Sequence, residues 1–548
     1  MCLKPMPIGP VPERTAQVAK AAFPKGSAAL RMRDELGGLF DDQAFAGLFP
    51  AKGQPALAPW RLALVTVLQF TEGLSDRQAA DAVRGRIDWK YSLGLDLEDA
   101  GFDFSVLSEF RSRLVAGGAE HLLLDAMLQR LLARGLVRPG GRQRTDSTHV
   151  LASVRTLNRL ENLGETLRAA LNAVAEAAPE WLAALVAPDW YERYAKRFEQ
   201  YRLPKGEAAR RELAEAIGRD GHHLLAAVWA DDAPVGLNRL PAVDILRQTW
   251  IRHFCLNAEG RATLRDRTDL PPVAGRFDSP YDTEARFGNK GSAAWSGYKA
   301  HLTETCDDDL PHVIVHVATT PANVPDIAMT EPVQSATAAK GVAPATHFVD
   351  GGYVDAGLVL ASRAQGIDLV GPVRPDVSWQ ARTEGAYDVS VFTVDWEAQT
   401  VICPQGQRNA DWNLSRDPSG VEVVHASFPG PVCRACPSRP LCTRAKTAPR
   451  EVTLRTGGRH EIIQDIRQRE QSAEWRVLYG KRAGIEGCLS QALRLTGLRR
   501  ARYVGLAKTH LQHVASAAAI NIERLDAWFR NVPLAKTRVS RFAALKAA

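Results

Sequence analysis

Apolar residues recur at spacings of three and four from Trp60 onward, through WRLALVTVLQFTEG and LSDRQAADAVRGRIDWKYSLGL. The same period returns in SVLSEFRSRL and HLLLDAMLQRLLARGLV, and it predicts amphipathic helices to about residue 137. Gly73 is placed to end the first helix, and Ser75 with Gln78 to open the second through a capping box. After the Pro-Gly-Gly break at 139–141 the period changes, and GGRQRTDSTHVLASV reads as a strand with Asp146 at its centre. From about 156 to 265 the text is again helical, rich in Ala, Leu, Glu and Arg and without evident chemistry. Between 276 and 375, WSGYKAHLTET and PHVIVHVATT predict two strands and DIAMTEPVQSATAAKG a helix ending at Gly341. ATHFVDGGYV follows as a strand ending in Asp350, then the helix DAGLVLASRAQG and the last strand IDLVGPV. Alternation of this kind fits an α/β mixed sheet flanked by helices.

The remaining text divides the chain further. Residues 1–55 show little periodicity and read as an N-terminal arm, 56–138 as a helical domain, and 156–275 as a helical insertion. The sheet-bearing core comprises 139–155 and 276–375; 376–455, with VSVFTVDW and TVICPQG, reads as a small β-rich insertion that holds the cysteines. Arg-rich helices return over 456–530, and 531–548 reads as a loose tail. A length of 548 residues exceeds one typical core, in keeping with several domains.

Composition adds location and partner. No run of about 18 apolar residues exists, so no membrane span is expected. The opening MCLKPMPIGPVPERT lacks the apolar stretch of a signal peptide, so a cytoplasmic protein is expected. The net charge of +7 is unevenly spread: residues 443–548 carry 21 Lys or Arg against 8 Asp or Glu, and the remainder 48 against 54. A basic region of this kind suits a polyanion such as double-stranded DNA; a solvated Arg-rich helical face is the other reading. Helix, short turn and helix with Arg77, Arg84, Arg86 and Lys90 is compatible with a DNA reader and equally with a packing module.

Four of the eight cysteines cluster late, as Cys403 and Cys433-x₂-Cys436-x₅-Cys442. Four thiolates presented from Pro-Gly-rich turns suit tetrahedral Zn²⁺, with His425 as a stand-in ligand. Only one cysteine lies upstream, which departs from a paired zinc ribbon, and a reduced loop cluster, a redox pair or an iron–sulfur centre stays open. Cys255 and Cys306 read as lone thiols.

Three carboxylates carry the candidate chemistry. Asp146 lies mid-strand, Asp350 at a strand's C-terminal end, and Glu486 in the helical text YGKRAGIEGCLSQAL, where Tyr479, Arg482 and Glu486 share one face. Such a set can bind two divalent ions, and hard oxygen donors favour Mg²⁺ or Mn²⁺. Spacing alone is not specific in a chain with 62 acidic residues, each of which is ordinarily a cap or an ion-pair partner. Asp278, Asp282 and Glu284 in FDSPYDTEARFGNKG form a rival set, read as a solvated loop beside Arg286 and Lys290, with Lys290 a candidate DNA contact.

The chain resembles the DDE transposases of bacterial insertion sequences, in the group with a Tyr-x-x-Arg-x-x-x-Glu signature. The residues that carry the resemblance are TDSTHV around Asp146, SPYDTEARFGNKG, WSGYKAHLTET, HFVDGGYVDA around Asp350, YGKRAGIEG around Glu486, and the C-terminal LRRARYVGLAKTHLQHVASAAAINIERL. The helical region 60–115 resembles the N-terminal domain of such enzymes, and the likeness runs from about 40 to 530. It implies an RNase H-like catalytic fold with Asp146 on the first strand, Asp350 on or just after the fourth, and Glu486 on a late helix. Asp146 would bridge two metal ions, with Asp350 and Glu486 binding one each. Arg482 would clamp a phosphate, Tyr479 would stack on a base or bond a phosphate, and Arg499, Arg500 and Arg502 would contact DNA. The family signature often extends to a Lys seven residues past the Glu; Leu493 stands there, and Arg494 points about 100° away on a helix. The resemblance implies cleavage and strand transfer at terminal inverted repeats, by at least a homodimer in the DNA complex. The competing functions are an RNase H-like nuclease or resolvase without strand transfer, and an inactive DNA-binding relative.

Overall fold

The computed structural model describes residues 2–533 apart from 6, 273–274 and 292, so most of the expected tail, 534–548, lies outside the described residues. Its centre is a six-stranded mixed sheet: β1 (Arg142–Leu151), β2 (Arg286–Lys290), β3 (Ala293–Thr305), β4 (Ile314–Pro321), β5 (Thr346–Phe348) and β6 (Asp368–Val370). β3 lies antiparallel to β1, with Asp146 opposite Leu302, and its other edge pairs first with β2 and then with β4. β5 joins the free edge of β1 in parallel, and β6 joins β5 in parallel. Four strands joined antiparallel and two added in parallel make the mixed sheet that the alternation in the sequence implied. One difference is that the loop expected at 286–290 is a strand. Gly297 lets β3 run close to β1: its φ is +154°, and a Cβ there would meet the Val150 carbonyl oxygen at 2.1 Å.

Helices cover both faces. α1 (Pro59–Glu72) ends at Gly73, with φ +67°, and α2 (Asp76–Gly85) opens on the Ser75–Gln78 capping box. The first 55 residues, expected to have little structure, carry the helices Glu13–Ala22 and Ala28–Leu36. These are too short to display a clear period, yet Ala29, Met32 and Leu36 enter the main core. That core is continuous from the N-terminal helices to the inner face of β3 and β4. Helix α11 (Leu506–Phe529) lies between them, packed on α1 and β4 and buried over most of its length. Glu304 of β3 anchors it: the buried carboxylate takes Arg524 Nη1 at 2.5 Å and Arg144 Nε at 2.7 Å.

Between β1 and β2, helices α3 (Arg159–Ala177), α4 (Glu207–Val228) and α5 (Pro241–His253) close over a core of their own, centred on Leu163, Leu167, Ile217 and Leu246. After β4 come α6 (Thr330–Ala339) and α7 (Ala356–Ala364), the latter packed against α8 (Arg459–Glu470). The intervening segment forms an antiparallel sheet of β7 (Asp411–Arg416), β8 (Glu422–Ser427) and β9 (Glu451–Arg455) over a small core around Phe392, Phe428 and Leu454. α9 (Ala473–Gly480) and α10 (Gly484–Thr496) then return to the main sheet. Among the described residues no helix is long and apolar enough to cross a membrane.

Candidate active site

The period of two along β1 places Arg144, Asp146 and Thr148 on one face. All three are buried, an unusual polar run for a central strand. Asp350 stands two residues beyond β5, where the chain turns; its Oδ1 accepts the Gly352 amide at 2.8 Å. A Cβ on Gly352 would sit 2.9 Å from that same oxygen, so a larger residue there would push the Asp350 carboxylate aside. Glu486 lies in the first turn of α10. The helix expected to carry Tyr479, Arg482 and Glu486 together is interrupted: α9 ends at Gly480, a single 3₁₀ turn spans Lys481–Ala483, and α10 follows. Gly484 permits the approach of α10 to β1, because a Cβ there would lie 2.0 Å from Arg144 Nη1.

The three carboxylates converge on one cation. Arg482 Nη2 stands 2.7 Å from Asp146 Oδ2 and 3.8 Å from Asp350 Oδ2, and Nη1 stands 3.3 Å from Glu486 Oε1. Arg482 is itself largely buried, and its Nε has no hydrogen-bond partner among the described residues. Burial pushes the Asp146 carboxyl up, against the opposing pull of Arg482 and Lys290. No group of three or more His, Cys, Asp or Glu side chains among the described residues is disposed to hold a metal ion as it stands. At this site the guanidinium occupies the space between the carboxylates. The donors are nonetheless hard oxygens already gathered around a positive charge, the chemistry that Mg²⁺ or Mn²⁺ requires.

Lys290, at the end of β2, reaches the same place, 3.9 Å from Asp146 Oδ1. It is also 3.8 Å from Asp326, a carboxylate that the sequence did not single out. Asp326 is mostly buried, accepts Lys299 Nζ at 2.9 Å and Ser147 Oγ at 3.1 Å, and opens a 3₁₀ turn five residues beyond the end of β4. Burial pushes its carboxyl up, but Lys299, His301 and Lys290 bring it below the ordinary value. Its position a few residues past a strand end was the available signal, obscured because DIAMTE reads as the start of a helix.

Other expected DNA contacts divide. Arg499 reaches β1 through a 2.9 Å bond to Thr148 Oγ1, and Arg500 is exposed beside it. Arg502 instead lies over the Phe70 ring, 4.7 Å from its centroid. One face of the half-buried Tyr479 ring lies against Trp475 at 4.6 Å, and its hydroxyl donates to the Val349 carbonyl at 3.3 Å. It steadies the strand end that bears Asp350. In the N-terminal helices Lys90 is buried and donates to the Asp96 and Asp99 carbonyls, while Arg86 is held by Glu72 and Asp88. Those two cations are committed within the fold.

Two of the three rival carboxylates are enclosed and the third, Glu284, is exposed but bonded. Asp278 and Asp282 are buried; Asp282 accepts the Tyr298 hydroxyl at 2.6 Å, and Glu284 caps α11 through the Leu506 amide at 2.8 Å. They brace the loop to β3 and α11 rather than forming a second acidic centre. The four late cysteines are free and line one small cavity, whereas His425 turns to Glu451 and Thr453 and lies outside it.

Two family models match the chain. One, described as a transposase DDE domain, covers residues 402–526, which include Tyr479, Arg482 and Glu486 but neither Asp146 nor Asp350. The other, described as a transposase domain (DUF772), covers residues 17–113. No curated protein matches the chain.

Proposed function

We propose that this chain, an insertion-sequence DDE transposase by its two family matches, binds the terminal inverted repeats of its element and catalyses DNA strand cleavage and strand transfer at Asp146, Asp350 and Glu486. The observation that carries the reading is the convergence of three carboxylates, from a central strand, a strand end and a helix start, on the single guanidinium of Arg482. Two divalent ions held by such a set would stabilise the attacking and leaving oxygens of a phosphodiester displacement. Asp146, the most enclosed of the three, would hold the ions together with Asp350 and Glu486. Arg482 has to leave the carboxylates when they are engaged, and its planar fork then suits two oxygens of the scissile phosphate. Lys290, half exposed at the same rim, supplies a second cation for the DNA backbone. Tyr479 acts on Asp350 through the backbone and keeps the strand end in register. DNA engagement is the role of Arg499 and Arg500, and the pairing of two transposon ends calls for at least two copies of the chain.

The test is cleavage and joining of a labelled DNA that carries the flanking terminal repeats, with Mg²⁺ or Mn²⁺, for wild type and Glu486→Gln. Metal-dependent joining that disappears in the variant supports the assignment. Cleavage without joining points to a nuclease or resolvase, and binding without cleavage to an inactive relative.

A further inference from the structure

The segment between α7 and α8 has few means of holding itself together. Its core consists of seven buried side chains, Phe392, Val401, Val424, Ala426, Phe428, Val452 and Leu454. A unit of this size ordinarily needs a staple as well. No disulfide supplies one, since all four cysteines are free. They nevertheless gather: Cys403, Cys433, Cys436 and Cys442 line a single small cavity.

Local structure explains how they come to face it. Cys403 opens a tight turn in which the Gly406 amide donates to its carbonyl at 2.8 Å, and φ at Gly406 is +74°. Cys436 opens another, closed by the Arg439 amide at 3.1 Å. Cys433 and Cys442 each lie on a short helical turn beside these, Gly430–Ala435 and Arg439–Cys442. Two loops, separated in the chain by the strands β7 and β8, thus deliver thiols to one cavity.

Charge around the cavity is positive. Arg439 and Arg450 line it, and Arg450 Nε is buried without a hydrogen-bond partner among the described residues. Four thiols offer that nitrogen no strong acceptor. Four thiolates around a divalent ion carry a net charge of −2, which these guanidiniums would offset. As noted, no group of thiols stands at ligand spacing in the present arrangement, so occupancy would draw the two turns together.

We infer that Cys403, Cys433, Cys436 and Cys442 form a structural zinc site that closes the 376–455 segment. The four thiols bind as thiolates and release their protons to solvent, and no oxidant is involved. The site is independent of the catalytic carboxylates, and its function is to fix the segment through which the chain passes between Asp350 and Glu486.

The experiment is elemental analysis of the full-length protein after purification without added metal, followed by exchange with Co²⁺. About one zinc per chain is expected, and the cobalt form should show intense thiolate-to-metal absorption with the visible bands of a tetrahedral centre. The double variant Cys433→Ser/Cys436→Ser should lose the ion, and Cys255→Ser should keep it. Misfolding of the double variant is bypassed by alkylating wild type: the four thiols should be protected with zinc and reactive after chelation, with Cys255 reacting alike in both. A wild type that neither contains nor takes up Zn²⁺ or Co²⁺, a double variant with undiminished zinc, or a protein carrying iron and sulfide in its place would overturn the inference.

Discussion

Arg482→Gln should move metal affinity and catalysis in opposite directions. The guanidinium neutralises the carboxylates that would hold a metal ion under the proposed function, so the ion would have to displace it. The contact that matters most is with Asp146, at 2.7 Å between side chains that are 16% and 9% exposed. Coulomb attraction at that distance is about 6 kcal/mol at an effective dielectric of ~20, before desolvation is subtracted. Charged hydrogen bonds in proteins have net values of about 1.5–3 kcal/mol. The Glu486 contact adds little, because that carboxylate is 69% exposed and screened by water. Removing the competitor should therefore tighten Mn²⁺ binding by roughly 10- to 100-fold, at about 1.4 kcal/mol per decade. Glutamine cannot clamp a phosphate with a charged fork, so cleavage at saturating metal should fall by a comparable factor. Calorimetric or spin-resonance titration with Mn²⁺ measures the first quantity, and single-turnover cleavage of repeat DNA the second. Unchanged or weaker Mn²⁺ binding by the variant would refute the competition, and full cleavage activity would refute the phosphate role.

Asp146→Ala should abolish cleavage while leaving repeat-DNA binding intact in a mobility-shift assay; retained cleavage would remove Asp146 from the site. Gly484→Ala introduces a Cβ 2.0 Å from Arg144 Nη1, so α10 must shift, with loss of activity and about 1–3 kcal/mol of stability by chemical denaturation. Glu304→Gln leaves Arg144 and Arg524 facing each other without their buried anion and should cost about 3–5 kcal/mol, seen as a large fall in melting temperature. Acid should destabilise the protein through its buried histidines. Burial holds His316 and His513 down to about 3 and His510 to about 4, below the ordinary 6.5. Because the folded values lie below the unfolded ones, stability is complete above about pH 6.5 and is lost as pH falls towards 4, by roughly 1.4 kcal/mol per unit for each group. Melting curves between pH 7 and 5 should show the loss, and His513→Gln should make it shallower.

The features legible in the sequence are those fixed by neighbours along the chain. Gly73, the Ser75–Gln78 box and Gly341 end or open helices where the period in the text changes, because caps and left-handed turns depend on a few adjacent residues. Features fixed by distant partners were misread. The stretch 282–290 looks like a solvated loop, yet Asp282 is enclosed by the Tyr298 hydroxyl and the backbone at Gly505, and 286–290 pairs as a strand with 293–297. The stacking of Tyr479 on Trp475 is a pairing four residues apart on one helix and could be read from the chain, whereas the meeting of its hydroxyl with Val349 could not. Asp326 was overlooked for the same reason: Lys299, Lys290 and Ser147, which give it meaning, come from three other segments.

The dependence on distant partners is strongest at β1, and it has a physical cause. β1 carries Gln143, Arg144, Thr145, Asp146, Ser147 and Thr148 in succession, all buried, in the middle of the main sheet. A polar run at that place is unfavourable unless each group finds a partner, and unpaired charge is the most costly of all. The partners come from the next strands and the late helices: Thr303 and His347 for Thr145, Glu304 for Arg144, Arg482 for Asp146, Arg499 for Thr148. The strand is therefore stable only when distant parts of the chain have assembled on it, and the same assembly brings Asp350 and Glu486 to Asp146. Folding of the sheet and construction of the acidic site are one event. A substitution that spares the three carboxylates but breaks this polar seam, such as Glu304→Gln, should accordingly lower activity and stability together, whereas Asp146→Ala should abolish activity at a smaller cost in stability, because Arg482 keeps Asp350 and Glu486 as partners.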